Sequence, residues 1–257
     1  MKHTICKAIA GVFAFILAGG TERAFGFAEY FNTDAGNTPA AMNAAYPGYL
    51  TRAKLTSGSD DLSSGTLVSL GELVFTNDNN GTISFITQGL TASTSTPFRV
   101  GVDLRATGVG TPGNYSLGVV VGNRAFGFFP GYASAADQHL ARSYDPSSGL
   151  TTSSYLNFLS GSSGAAITGG PDHLEVSWDG AGNWTYTFTK TGGGTGNSFS
   201  KTFADSFTMG EVGVFSRSDT GLGNAIFDNL FFEIPEPSAA MLLAAGAVLL
   251  WRRTRNG

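Results

Sequence analysis

Cysteine is nearly missing from this chain: 257 residues hold one, Cys6, close to the N-terminus. Neither a disulfide framework nor a thiolate-ligated metal can be built from a single thiol. Cys6 also precedes the first apolar run, whereas an acylated lipoprotein cysteine would have to follow it. Charge is sparse at 13% of residues, and histidine occurs three times, at His3, His139 and His173. No H-E-x-x-H and no G-x-S-x-G is present, so the zinc-protease and serine-hydrolase templates are both empty. Long helical stripes are missing from the body as well, and no internal repeat marks a propeller or β-helix.

Glycine is abundant instead, with 36 residues, about twice the usual share of roughly 7%. With 42% of residues hydrophobic, the chain holds enough apolar surface to offset the entropy of ordering. Its length suits one large β-domain. Between Phe27 and Ile234 there are nine basic and seventeen acidic residues, a net charge of −8 against −4 for the whole chain. A phosphate backbone would be repelled, and no basic patch interleaved with aromatics offsets this, so nucleic acid is excluded as an expected partner.

Period-two alternation runs through the body. Phe98, Val100, Val102 and Leu104 alternate with Arg99, Gly101, Asp103 and Arg105. Leu174, Val176 and Trp178 alternate with Glu175, Ser177 and Asp179; "DGAGN" then turns the chain into Trp184, Tyr186 and Phe188, which predicts a hairpin. "ELVFT" and "TISFIT" are joined through Asn80-Gly81, and "YSLGVVVG", "AFGFF", "EVGVF" and "NAIFDNLFFE" read as further strands. About a dozen strands predict an all-β, two-sheet antiparallel sandwich of the jelly-roll kind. Gly108, Gly110 and Gly113 spell G-x-G-x-x-G, but a strand follows instead of the helix a pyrophosphate cradle needs, so a hairpin loop is expected there. "TNDNNG" lacks the acids of a Ca²⁺ EF-loop.

Both ends read as addresses. Lys2 and Lys7 precede the apolar stretch Ile9 to Leu17 and small residues at Ala18, Gly19 and Gly20, which predicts a helical signal peptide over residues 1–26, cleaved near Ala24-Phe25-Gly26 by signal peptidase. At the other end, Ser238 to Trp251 form fourteen uncharged residues, roughly 21 Å as a helix against a hydrocarbon core of about 30 Å. Arg252, Arg253 and Arg255 follow, and arginines beside an apolar helix favour the cytoplasmic side. Pro235-Glu236-Pro237, a short apolar helix and a terminal arginine cluster together resemble the PEP-CTERM sorting signal of exopolysaccharide-producing Gram-negative bacteria. The resemblance covers residues 234–257. It implies a transmembrane helix that holds the precursor in the inner membrane and an exosortase, a cysteine transpeptidase-like membrane enzyme, as processing partner. It further implies delivery to the cell surface or extracellular matrix.

The body, residues 27–233, resembles the concanavalin A-like jelly roll of laminin G-type lectin domains and of many glycan-binding or glycan-cleaving proteins, in "PFRVGVDLRATG", "DHLEVSWDGAGNWTYTF", "EVGVFSRSD" and "AIFDNLFF". The Glu-x-Asp-x-x-Glu acids of related glucanases have no match, and Glu175 and Asp179 lie roughly 13 Å apart along one strand, too far for a glycosidase pair. No nucleophile is assigned, and the leading function is a non-catalytic carbohydrate-binding or structural module, with a divergent lyase or hydrolase as the alternative. Arg99, Asp103 and Arg105 share a strand face from which they either hold sugar hydroxyls or an acidic polysaccharide, or ion-pair with one another. Trp178, Trp184 and Tyr115 are further aromatics, the two tryptophans on the expected core face. "RAFGFFPGY" is expected to be an aromatic loop near a sheet edge, with Phe128, Phe129 and Tyr132 as sugar contacts. Glu29 and Asp228, near opposite ends of the body, are candidates for a structural Ca²⁺ where first and last strands meet.

Overall fold

A computed structural model describes residues 25–36, 38–55, 66–76, 81–107, 115–132, 136–145, 149–158, 171–191, 198–218 and 224–234. The compact unit Phe27–Ile234 contains the architecture below. Pro235, Glu236, Pro237, Arg252, Arg253 and Arg255 lie outside the described residues, as do the expected signal helix before Phe25 and the C-terminal helix. Among the described residues no helix is long and apolar enough to cross a membrane.

Fifteen strands are described. They are β1 (Phe25–Glu29), β2 (Tyr49–Leu55), β3 (Thr66–Ser69), β4 (Glu72–Thr76), β5 (Gly81–Ala92), β6 (Phe98–Thr107), β7 (Tyr115–Val121) and β8 (Arg124–Tyr132), then β9 (Ala136–Asp145), β10 (Gly149–Phe158), β11 (Asp172–Trp178), β12 (Asn183–Thr189), β13 (Phe199–Ala204), β14 (Gly210–Ser218) and β15 (Asn224–Ile234). One short helix, α1 (Pro39–Ala45), starts where the Thr38 hydroxyl accepts a hydrogen bond from the Ala41 amide at 3.2 Å and proline fills the first helical position.

The strands form two antiparallel sheets. The eight-stranded sheet runs β13-β12-β11-β6-β15-β4-β3 with β1 added on β15, and the seven-stranded sheet runs β10-β9-β8-β7-β14-β5-β2. First and last strands therefore meet, as expected. The "DGAGN" hairpin also forms, with Trp178 opposite Trp184 in register and the Asp179 carboxylate accepting from the Ala181 and Asn183 amides.

Two local expectations fail. Gly108, Gly110 and Gly113 lie outside the described residues, and the strands on either side, β6 and β7, belong to different sheets and do not pair as a hairpin. β4 and β5, consecutive through Asn80-Gly81, also lie in different sheets. "RAFGFFPGY" is β8, an interior strand bonded to β7 on one side and β9 on the other, neither loop nor edge.

The main core fills the space between the sheets. Phe98, Val100, Val102 and Leu104 of β6 meet Leu174 and Val176 of β11, Trp184, Tyr186 and Phe188 of β12, and Phe227, Leu230 and Phe232 of β15. Leu117, Val119, Val121, Phe126, Val212 and Val214 face them from the other sheet. A second cluster, Ile86, Val120, Ala125, Tyr144 and Phe215, lies on the opposite face of the seven-stranded sheet. There the hydroxyls of Tyr144 on β9 and Ser84 on β5 are 2.8 Å apart, although three strands separate β9 from β5. A flat sheet would hold those strands about 19 Å apart. That sheet curls until its far face closes on its own side chains, burying Arg142 and Arg217 as well.

Candidate functional site on the outer face of the eight-stranded sheet

Alternation along β6 sends Phe98, Val100, Val102 and Leu104 inward and Arg99, Asp103 and Arg105 outward, as the sequence predicts. β6 is central, so these three meet side chains from β11, β15 and β4. The register aligns them in rows across the sheet: Glu233, Arg99, Ser177, Thr185 and Thr202 in one, and Phe231, Gly101, Glu175, Thr187 and Ser200 in the next. A third row holds Asp228, Asp103, His173 and Thr189.

Arg99, Asp103 and Arg105 do not pair with one another. Arg99 donates to Glu233, with Nη2 to Oε2 at 2.5 Å, and its Nη1 lies 3.8 Å from Glu175. Arg105 pairs with Glu72. Asp103 bonds His173, Nδ1 to Oδ1 at 2.7 Å, and its second oxygen accepts from the Asn229 amide at 2.7 Å. The hydrogen bond that His173 donates to Asp103, with the Glu175 carboxylate 3.9 Å from its other nitrogen, outweighs burial and holds the imidazole protonated, its pKa raised from 6.5 to about 9. Burial opposes ionisation of Asp103, yet the bonds from His173 and Asn229 win and pull its pKa down. Asp228 moves the other way, raised by burial and by the neighbouring charges of Asp103 and Glu72.

One apolar group sits among these charges. Phe231 lies over Gly101, where an added Cβ would approach its Cε1 to 2.3 Å, so the ring takes the space a side chain would fill. The Arg99 guanidinium carbon is 5.6 Å from the ring centre, and the His173 imidazole lies parallel at 6.0 Å and 7°. A bulge sets this arrangement: Asp228 opposes Asp103 and Phe231 opposes Gly101, so β15 carries one residue more than β6. Asn229, at φ 53°, adopts the left-handed conformation that asparagine tolerates, and its amide reaches Asp103. After the bulge Leu230 and Phe232 point inward, and Phe231 and Glu233 outward.

Beyond β11 the face becomes a hydroxyl ladder, with Thr185 to Thr202 at 3.0 Å and Thr187 to Ser200 at 3.1 Å. The remaining expectations fare unevenly. Trp178 and Trp184 are core, against Phe98 and Phe207. The side chains of Phe128, Phe129, Tyr132 and Tyr115 lie outside the described residues. His139 is buried, its Nδ1 2.9 Å from the Tyr186 hydroxyl, and burial lowers its pKa to about 4.

The structure does not bring Glu29 and Asp228, the candidates for a structural Ca²⁺, together. Glu29 accepts from the Phe31 amide at 2.9 Å and the Tyr49 hydroxyl at 3.3 Å, between the sheets, whereas Asp228 sits with Asp103 on the outer face. Among the described residues no three His, Cys, Asp or Glu side chains converge to hold a metal. Sequence reasoning passed over His173, Asn229, Phe231, Glu233 and Glu72. The signals were His173 two residues before Glu175 on one strand face, and the turn-forming pair Asp228-Asn229 inside a strand.

Two antiparallel sheets in this order form an all-β sandwich that resembles the legume-lectin-like jelly roll. Among solved structures the chain is similar to the Emp47p carbohydrate recognition domain, with TM-score 0.50 and 10% identity over 84% of this chain and 98% of that one. It is similar also to the VIP36 exoplasmic/lumenal domain in its Ca²⁺/Man-bound form, with TM-score 0.50 and 10% identity over 82% and 93%. At these identities the likeness is one of fold. No protein-family model matches the chain, and no curated protein matches it.

Proposed function

We propose that this chain is an exported, non-catalytic carbohydrate-binding module whose contact surface is the outer face of the eight-stranded sheet, centred on Phe231. The observation that carries it is the half-buried Phe231 ring held over Gly101 between Arg99 and His173. An aromatic ring on a rigid strand offers a sugar its apolar face, and the surrounding carboxylates and hydroxyls accept or donate to sugar hydroxyls. The fold shared with carbohydrate recognition domains supports the same reading. The terminal segments supply the routing: a signal peptide for export, and a PEP-CTERM tail that an exosortase-like enzyme processes on the way to an exopolysaccharide-rich surface.

The test is a glycan array probed with the full chain and with Phe231→Ala. Binding that Phe231→Ala abolishes supports the module; an array without signal overturns it. Routing is tested separately by deleting residues 235–257 and fractionating cells, and unchanged processing and location refute it.

One observation favours the alternative of a glycan-active enzyme. Asp103 and Asp228 oppose each other in register with pKa values pushed in opposite directions, as in an acid and base pair. Against it, both Asp103 oxygens are taken by His173 and Asn229. Release of reducing ends from a bound glycan, lost in Asp228→Asn, would establish the enzyme; binding without release excludes it.

A further inference from the structure

The charges and register of this face also specify what kind of glycan fits, granted that it is the glycan-binding surface. We propose that its ligand is an uncharged polysaccharide lying across the strands, from Phe231 on β15 to the hydroxyl ladder on β12 and β13.

Charge supplies the first argument. Among the described residues the face carries three cations, Arg99, Arg105 and His173, and five carboxylates, Glu72, Asp103, Glu175, Asp228 and Glu233. Each cation is already engaged: Arg99 by Glu233 and Glu175, Arg105 by Glu72, and His173 by Asp103 and Glu175. A uronate would have to displace a carboxylate fixed on a neighbouring strand, and the surplus acids would repel it. An uncharged sugar meets no such barrier, because paired carboxylates still accept hydrogen bonds from hydroxyls.

The path follows from register. Phe231, Gly101, Glu175, Thr187 and Ser200 form one row over five consecutive strands, about 19 Å across four strand spacings. Aromatic contact begins the row and exposed hydroxyls end it. Each hydroxyl both donates and accepts, so the ladder accommodates sugar hydroxyls in either role. An acidic polymer finds fewer partners here, because the arginines that would hold it are taken.

The experiment is affinity electrophoresis of the full chain in mild detergent through gels containing laminarin, dextran or mannan as uncharged polymers, or polygalacturonate as the acidic one, at low and physiological ionic strength. Retardation is expected in at least one uncharged gel, insensitive to salt, and none in polygalacturonate. Phe231→Ala should weaken it roughly tenfold, about 1.4 kcal/mol. Thr187→Arg, about 14 Å from Phe231 across the strands, should weaken it several-fold with an unchanged melting temperature. Glu175→Gln combined with Glu233→Gln should create salt-sensitive retardation in polygalacturonate by releasing Arg99. If the unaltered chain prefers polygalacturonate, the uncharged ligand is overturned while glycan binding stands. Unchanged retardation of Thr187→Arg overturns the path across the strands, and no retardation in any gel overturns glycan binding itself.

Discussion

The two histidines of the body should give the fold a stability maximum near pH 6.5. In the folded protein His173 is raised from 6.5 to about 9 by Asp103 and Glu175. Its contribution is full below pH 6.5 and is lost as pH rises through about 9, because the folded state then gives up a proton the unfolded state has already released. With its side chain 29% exposed, solvent screening reduces the contribution to about 2–3 kcal/mol. His139 behaves oppositely. Its folded value is depressed to about 4 by burial, so its contribution is full above pH 6.5 and drains as pH falls toward about 4, by about 3 kcal/mol. Urea unfolding followed by tryptophan fluorescence, from about pH 4 to pH 10, should lose roughly 1 kcal/mol per pH unit between about pH 7 and 8.5. His173→Gln should flatten that alkaline limb and His139→Gln the acid one. An imidazole proton resonance of His173 titrating near 6.5, or an alkaline limb unchanged in His173→Gln, would refute the argument.

Three substitutions test other parts of the structure. Gly101→Ala places a methyl group 2.3 Å from the Phe231 ring. The ring can swing away, so calorimetry should show a loss of only about 1 kcal/mol while glycan binding falls sharply. Trp184→Ala empties a fully buried site against Phe98, Phe126, Trp178 and Phe207, and denaturant unfolding should record a loss of about 3–5 kcal/mol. Asp205→Ala removes the carboxylate that takes two bonds from Arg124, at 2.9 and 3.3 Å, and leaves the charge of a side chain only 10% exposed without it; the same assay should show a loss of about 3 kcal/mol.

The period of two made much of this sandwich legible in advance. β6, β11 and β12 put the expected residues inside, and Arg99, Asp103 and Arg105 emerged on one face. Sheet membership was hidden, because a turn-rich link such as 108–114 has the same composition whether it folds the chain back or carries it across. The partners of Arg99 and Asp103 were hidden for a related reason. Glu233 and Asn229 lie 134 and 126 residues away along the chain, and only the pairing of β15 with β6 brings them in. Phe231 was obscured further, since strict alternation from Phe227 assigns it to the interior.

That last misassignment has a consequence for tracing distant relatives. Segment 228–231 works as a phase shift: its bulge, more than its composition, decides which phenylalanine meets solvent. The same residues paired without the bulge would turn Phe231 inward and Leu230 outward, blanking the face without changing its inventory of side chains. Sequences compared residue by residue, without regard to the bulge, would therefore equate a solvent-facing ring in one chain with an interior ring in another.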